Sequence, residues 1–387
     1  MTDAAPARYR LEAIDLLRGL VIVIMALDHV RDYVHAASFV SDPTNPATTT
    51  LGLYLTRWVT HFCAPTFSFL AGVSVFMQSR NKTKSQLSRF LVTRGLWLIA
   101  LELVVENIGW NWNIPGWALL VLWALGGGMI ALAGLVHLPR RAVLVIALAI
   151  IGLHDLLDPI PPQAFGPLAW LWHLLHVPGV VGGNVFVGYP ILPWIGVISL
   201  GYAVGDVFTL EPERRRRILL VAGAGMIAAF LVLRGINLYG DPRPWTIFAE
   251  PMRTALSFFN VSKYPPSLDF VLATLGPVFL LLPALEKLKG WAAGFLLTYG
   301  RVPLFFYILH IWLAHALVTA AGLAMGYPFQ TFVGVIADPA PMVEAHWGFG
   351  LWAAYLTWAV VLALMFPLCR WWGGVKARRR DWWLSYL

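Results

Sequence analysis

A histidine set among carboxylates on an otherwise apolar helix is a candidate general base. The stretch from Asp15 to Tyr33 has that pattern, with Asp15, Arg18, Asp28, His29, Arg31 and Asp32 around a run of Leu, Val, Ile and Met. At helical spacing Asp15, Arg18, Ile22, Met25, His29 and Asp32 follow offsets of three and four and share one face. Asp28 is adjacent to His29 and Asp32 is one turn on. Either carboxylate could orient the imidazole and hold its tautomer, as base catalysis requires. The plain alternative is a satisfied ion-pair cluster of Asp28, Arg31, Asp32 and His35 at a helix end. Ionisable groups on a membrane helix are costly, and they face a bundle interior or a wet cavity. From Asp15 to His29 the rise is roughly 21 Å, so this polar stripe reaches from near one membrane face toward the other.

Other segments carry residues that could complete a site. Arg18, one turn from Asp15, could hold an anionic ligand or snorkel to headgroups. Arg89 and Arg94 lie about 7.5 Å apart along one helix and could grip phosphates bidentately, or simply mark a basic membrane face. Glu102 and Glu106 are four residues apart inside an apolar run and need a buried partner. His61 sits at a depth similar to that of His29. Lys263, before Tyr264-Pro265-Pro266-Ser267, could neutralise an anionic acceptor or be solvated. Tyr307 and His310 share a face after Pro303, and His310 and His315 read equally as packed, hydrogen-bonded histidines. The two cysteines, Cys63 and Cys369, fall in different spans, so a disulfide between them is not expected. Sequence spacing shows no Cys/His metal set, and no metal is expected.

The elements that must position these residues follow from composition. The chain of 387 residues is 59% hydrophobic and 12% charged, where a soluble domain carries about 25% charged residues. Its 19 tryptophans suit two aromatic belts. The apolar runs are about 20 residues long, which predicts an all-α polytopic transmembrane bundle and not a β-barrel. We expect about ten spans, near 14–37, 52–78, 87–109, 117–137, 141–157, 189–209, 216–236, 267–286, 299–325 and 349–372. These form a single integral-membrane domain over 1–387 with a basic tail at 373–387. Lys and Arg cluster in alternate loops (Arg80 to Arg89, Arg140 and Arg141, Arg214 to Arg217, Lys287 and Lys289, Lys376 to Arg380). The positive-inside rule then puts both termini in the cytoplasm. Loop 237–266, with Arg243, Arg253 and Lys263, is the exception. Segment 158–188 predicts a short interfacial helix anchored by Trp170 and Trp172. The net charge of +8 is loop charge, so no nucleic-acid partner is expected. No cleavable signal peptide is read at the N-terminus. These features fit an enzyme with its elaborated face outside. They equally fit a transporter or permease for a small polar or anionic molecule, although no internal repeat is evident.

Five stretches together resemble a known family. They are Ile14-Asp15-Leu16-Leu17-Arg18-Gly19 followed by Asp28-His29; His61 with Pro65 and Gly72; Tyr189 to Tyr202; Lys263 to Leu268; and Gly300-Arg301 with Tyr307 and His310. The chain resembles bacterial relatives of heparan-α-glucosaminide N-acetyltransferase, within the transmembrane acyltransferase superfamily, from about 10 to 372. The resemblance implies a bacterial inner-membrane acyltransferase. It would move an acetyl group from cytoplasmic acetyl-CoA to an amine or hydroxyl of an extracytoplasmic sugar or glycan. It implies acetyl-CoA as co-substrate, the lipid bilayer as environment, and leaves a homodimer open. The family's catalytic polar residue falls at His29, eleven residues after Arg18. In one branch this residue is a histidine. In the animal enzyme it is an asparagine with a histidine further on, which keeps His35 in play. Covalent acetyl-histidine and direct transfer both stay open. On this reading Asp28 or Asp32 orients His29, while Arg18, Arg89 and Arg94 hold CoA. His61, Lys263 and His310 then face the acceptor.

Overall fold

The computed structural model describes residues 12–113, 116–379, 381 and 384; Arg380 of the basic tail lies outside the described residues. Helix α1 (Glu12–Val34) is central. Although it carries charges toward both ends, most of it is buried, with Leu17, Ile22, Val30 and Tyr33 fully enclosed. Helices α2 (Leu51–Val59) and α3 (Cys63–Ser79) follow, joined by a 3-10 turn at Thr60–Phe62. Helix α4 (Lys84–Leu101) begins at a capping box, in which the Thr83 hydroxyl accepts from Gln86 and the Gln86 side chain accepts from the Thr83 N–H. A π-helical turn, Glu102–Glu106, then leads into α5 (Asn107–Asn111). Next come α6 (Val121–Leu135), α7 (Arg140–Leu153), α8 (Ala169–Leu175), α9 (Ile191–Ala203) and α10 (Pro212–Ile236). The C-terminal part adds α11 (Pro251–Phe259), α12 (Leu268–Leu285), α13 (Gly290–Gly300), α14 (Pro303–Ala324), α15 (Ala340–Glu344) and α16 (Leu351–Arg378).

Around α1 stand α3, α12, α13, α14 and α16. The expected spans fall on helical segments, with 52–78 divided between α2 and α3 and 87–109 between α4 and α5. Among the described residues six segments are long and apolar enough to cross a membrane, and a seventh is reached if the pair 140–157 and 162–175, bent by 105°, counts as one span. The expectation of about ten spans is therefore met by length and apolarity in six or seven. The shortfall has local causes. Helix α1 carries Glu12, Asp15, Arg18, Asp28, Arg31 and Asp32, and α6 has only 15 residues. The outward faces of α10 and α16 expose Val221, Leu231, Val232, Trp352, Leu356 and Trp371. Such helices mark the chain as a membrane protein, because a run of exposed large aliphatics needs lipid or protein cover.

Two local expectations are corrected. Residues 117–119 do not open a helix. They form strand β1 (Trp117–Leu119), which pairs in parallel with β3 (Val185–Val187), itself antiparallel to β2 (Gly179–Val181). The Asn107 side chain seats this strand, accepting from the Ala118 N–H at 2.9 Å. The short helix expected around Trp170 and Trp172 is α8, but only Trp170 is exposed. Trp172 turns inward and donates its ring N–H to the Ile160 carbonyl at 3.0 Å. Ser267 caps α12 by accepting from the Phe270 N–H at 3.1 Å, and Pro303 opens α14.

Candidate functional site

Helix α1 forms one wall of a cavity of about 280 Å³. At one end the cavity is lined by Arg18, Ser74, Gln78 and Arg94; at the other by Asp28, His29, Thr60, Tyr189, Lys263 and Tyr307. Between them lie Met25, Phe67, Leu98, Leu125 and Met129. Arg18 and His29 are eleven residues apart on one helix, so the two ends are separated by roughly 16 Å. The polar stripe read on α1 thus runs the length of an apolar-walled passage.

His29 is half-buried on this wall. Its Nδ1 lies 2.8 Å from Nε2 of His310 on α14, and Nδ1 of His310 lies 2.9 Å from the Phe306 carbonyl. A carbonyl can only accept, so Nδ1 of a neutral His310 carries the proton. Its Nε2 is then the acceptor, and Nδ1–H of His29 is the donor. That order leaves Nε2 of His29 with its lone pair on the cavity side. Trp110 and Tyr307 stand edge-on to the His29 ring, with centroids at 5.1 and 6.1 Å.

The carboxylates do other work. Asp28 accepts from Arg57 at 2.7 Å and from Arg31 at 3.1 Å, and Lys263 is 3.9 Å away. Asp32 pairs with Arg31 at 2.6 Å. The ring partner of His29 is therefore His310, and neither neighbouring carboxylate bonds it. Asp28 points about 100° around α1 from His29, so although both line the cavity its carboxylate turns to the cations and not to the imidazole. Sequence reasoning missed Arg57, which falls unremarked inside the expected span 52–78. Three cations around Asp28 give this end of the cavity a positive balance. Tyr264, in the loop before α12, feels it. Burial raises its phenol, but Lys263 and Arg57 outweigh that and hold it below the ordinary tyrosine value.

The remaining candidates separate. Arg18 bonds Asp15 at 3.0 Å and the Ser74 hydroxyl at 2.5 Å, and lines the cavity together with Arg94. Arg89 is exposed on α4 and does not line it. His61 is buried against Phe270 and does not line it either. His310 lies behind His29 and not on the cavity surface. Lys263 is a lining residue, as read. His35 ends α1 away from the cavity, where its Nδ1 accepts from the Ala37 N–H at 3.2 Å. Glu102 finds its partners in backbone: its Oε2 accepts from the N–H groups of Leu122 and Trp123 at 2.6 and 3.1 Å, at the start of α6. A carboxylate at a helix N-terminus is a stabilising arrangement. Tyr189 and Tyr307 complete the histidine end, and only the fold reveals Tyr189 there.

A model of the catalytic region of heparan-alpha-glucosaminide N-acetyltransferase matches residues 10–238, more than half of the chain. The matched region contains Arg18, Asp28, His29, Arg94 and Tyr189, while Lys263, Tyr307 and His310 follow it. No curated protein matches the chain.

Proposed function

The chain belongs to the heparan-alpha-glucosaminide N-acetyltransferase catalytic family, and from that membership we propose that it takes an acetyl group from acetyl-CoA and delivers it to an amine or hydroxyl of a sugar or glycan. The family and the apolar helices make the chain a membrane enzyme of acetyltransferase type. The finer reading rests on one observation above all: a tautomer-fixed histidine and two arginines at opposite ends of one narrow cavity. At about 280 Å³ the cavity is at the small end of ligand clefts, which run about 300–1,000 Å³. That suits an extended arm better than a globular ligand. On this reading Arg18 and Arg94 hold the CoA phosphates, with the arginine end cytoplasmic and the Lys263 end outside. The pantetheine arm runs past Met25 and Leu98 toward His29.

In the direct form of the reaction, Nε2 of His29 takes the proton of the acceptor amine or hydroxyl as that atom attacks the thioester carbonyl. The tetrahedral intermediate collapses, the C–S bond breaks, and the proton on His29 passes to the departing thiolate. His310 keeps Nδ1–H of His29 paired throughout, so the ring begins each cycle with its lone pair toward the substrate. In the covalent form the same lone pair attacks the thioester first, and CoA leaves before the acceptor arrives. Lys263 and Arg57 offer positive charge to the acceptor side.

The test is CoA release. Purified chain in detergent should free CoA from acetyl-CoA when an amino sugar or polysaccharide is added. His29→Ala should lower the rate by about 10²- to 10⁴-fold, the usual contribution of a positioned base, at unchanged melting temperature. Wild-type chain that never releases CoA but moves a labelled anion across vesicles would replace this reading with transport through the same cavity.

A further inference from the structure

Away from that cavity, three residues from two parts of the chain meet at the Lys263 end of the bundle. His154 follows α7, Asp158 comes one turn later, and His176 follows α8. One ligand-type atom from each lies within 4.8 Å of the other two. None of the three lines the cavity that holds His29.

We propose that His154, His176 and Asp158 form a binding site for a divalent transition metal, with Zn²⁺ the ion whose chemistry the donors fit. The first argument is the state of the imidazoles. His154 is 3% exposed and His176 0%. Both ring nitrogens of His154 and Nδ1 of His176 lack a hydrogen-bond partner among the described residues. The ring of His154 lies beside the Pro266 carbonyl, yet neither nitrogen is aligned to bond it. Buried polar side-chain atoms are partnered in the large majority of cases, and leaving one unpaired costs about 1–3 kcal/mol. Two adjacent buried histidines with three idle nitrogens need a ligand.

The second argument is the surrounding shell. Asp155 Oδ1 is 3.2 Å from Nδ1 of His154, out of line for a hydrogen bond in this ring position. Its other oxygen is held at 3.0 Å by the Leu268 N–H. A small ring rotation lets His154 donate Nδ1–H to Asp155 and aims Nε2 at the metal, the usual carboxylate–histidine–metal arrangement. Nε2 of His176 lies 2.8 Å from Asp158 Oδ1. A metal takes the place of the proton shared there, and a neutral imidazole then carries its proton on Nδ1. Two nitrogens and one carboxylate oxygen at about 2.0–2.2 Å leave a fourth tetrahedral position for water. Tetrahedral ligand atoms at that bond length stand about 3.4 Å apart, so the His176–Asp158 pair, now at 2.8 Å, opens slightly, and separations up to 4.8 Å close by less than about 1 Å per atom. The bound ion would tie the turn at 154–158 to the end of α8 at His176, next to the Asp155 carboxylate that accepts from the Leu268 N–H.

The experiment uses the untagged full-length chain in detergent, stripped with chelator and titrated with Co²⁺ and then Zn²⁺. The expected result is about one Co²⁺ per chain with the strong visible absorption of a four-coordinate ion, displaced by Zn²⁺. Zn²⁺ should also raise the melting temperature. His176→Gln and Asp158→Asn should each weaken Co²⁺ binding by at least about tenfold. The proposal is overturned if wild-type chain takes up no stoichiometric Co²⁺, or if the ion absorbs as a six-coordinate aquo species. It is overturned equally if both variants bind as wild type does. Should a variant fail to fold, the wild-type stoichiometry and spectrum decide alone.

Discussion

His29 and His310 are 281 positions apart in sequence and 2.8 Å apart in space. The pairing changes what each residue is for. In the proposed reaction His29 would present its lone pair to substrate and His310 would act as a positioning residue, its own proton fixed by the Phe306 carbonyl. This arrangement predicts the outcome of two substitutions. His310→Phe leaves Nδ1–H of His29 without an acceptor, at a cost of about 1–3 kcal/mol, and should lower kcat roughly 10- to 100-fold. His310→Gln keeps a carbonyl oxygen in reach and should recover part of that loss. Steady-state kinetics with acetyl-CoA checks it, and equal rates for the two variants would remove His310 from the mechanism. Residue types and helical spacing singled out both histidines. The same spacing suggested Asp28 or Asp32 as the orienting group, because adjacency in sequence was the only neighbourhood on view. Arg57 and Arg31 compete for those carboxylates more strongly than an imidazole could, since opposite full charges in a poorly solvated site attract most.

At the scale of elements, helices meet where glycines let their backbones touch. A Cβ added at Gly72 on α3 would stand 1.9 Å from the Ile198 carbonyl of α9, and one at Gly201 on α9 would stand 2.0 Å from the Phe69 carbonyl of α3. Gly19 on α1 and Gly300 on α13 make the same reciprocal approach, at 2.0 Å from the Leu296 carbonyl and 1.8 Å from the Asp15 carbonyl. Small residues at crossing points are the general means of packing membrane helices, where lipid removes the hydrophobic drive between them. Gly72→Ala should therefore destabilise by about 1–3 kcal/mol through overpacking. Gly225→Ala on α10, where nothing lies within 4 Å, should be neutral or slightly stabilising. Thermal unfolding in detergent separates the two, and equal melting temperatures would refute the crossing argument. The helices themselves are legible from apolar periodicity. Strand β1 is not. Its apolar residues continue a helical run in sequence, and only pairing with Val185–Val187 and the Asn107 side chain makes it extended.

For the whole molecule the decisive feature is the cavity joining Arg18 and Arg94 to His29. It sorts the basic residues that sequence left equal. Arg94→Gln and Arg18→Gln should each raise KM for acetyl-CoA by about 10- to 100-fold, the loss of one or two charge-assisted hydrogen bonds, with kcat little changed. Arg89→Gln should leave KM within about twofold, because Arg89 is exposed outside the cavity. Initial-rate measurements over a range of acetyl-CoA concentration check all three. A large effect at Arg89 and none at Arg94 would move the donor site off this cavity.

Composition and period alone determined a helical membrane protein with a polar stripe on its first helix. They did so because apolar content and helical repeat are local properties that any environment must satisfy. The same local reading found His29, Arg18, Arg94 and Lys263, since an ionisable group in an apolar run is conspicuous wherever it folds. Tertiary structure decided the partnerships. His310 rather than Asp28 bonds His29, Arg57 and Tyr189 join the histidine end, Arg89 falls outside, and His154, Asp158 and His176 converge without any spacing that announces them. Each of those outcomes depends on which helix faces stand within about 3 Å of one another. That is a competition among contacts distant in sequence, settled by backbone approach and by the cost of burying an unpaired polar group.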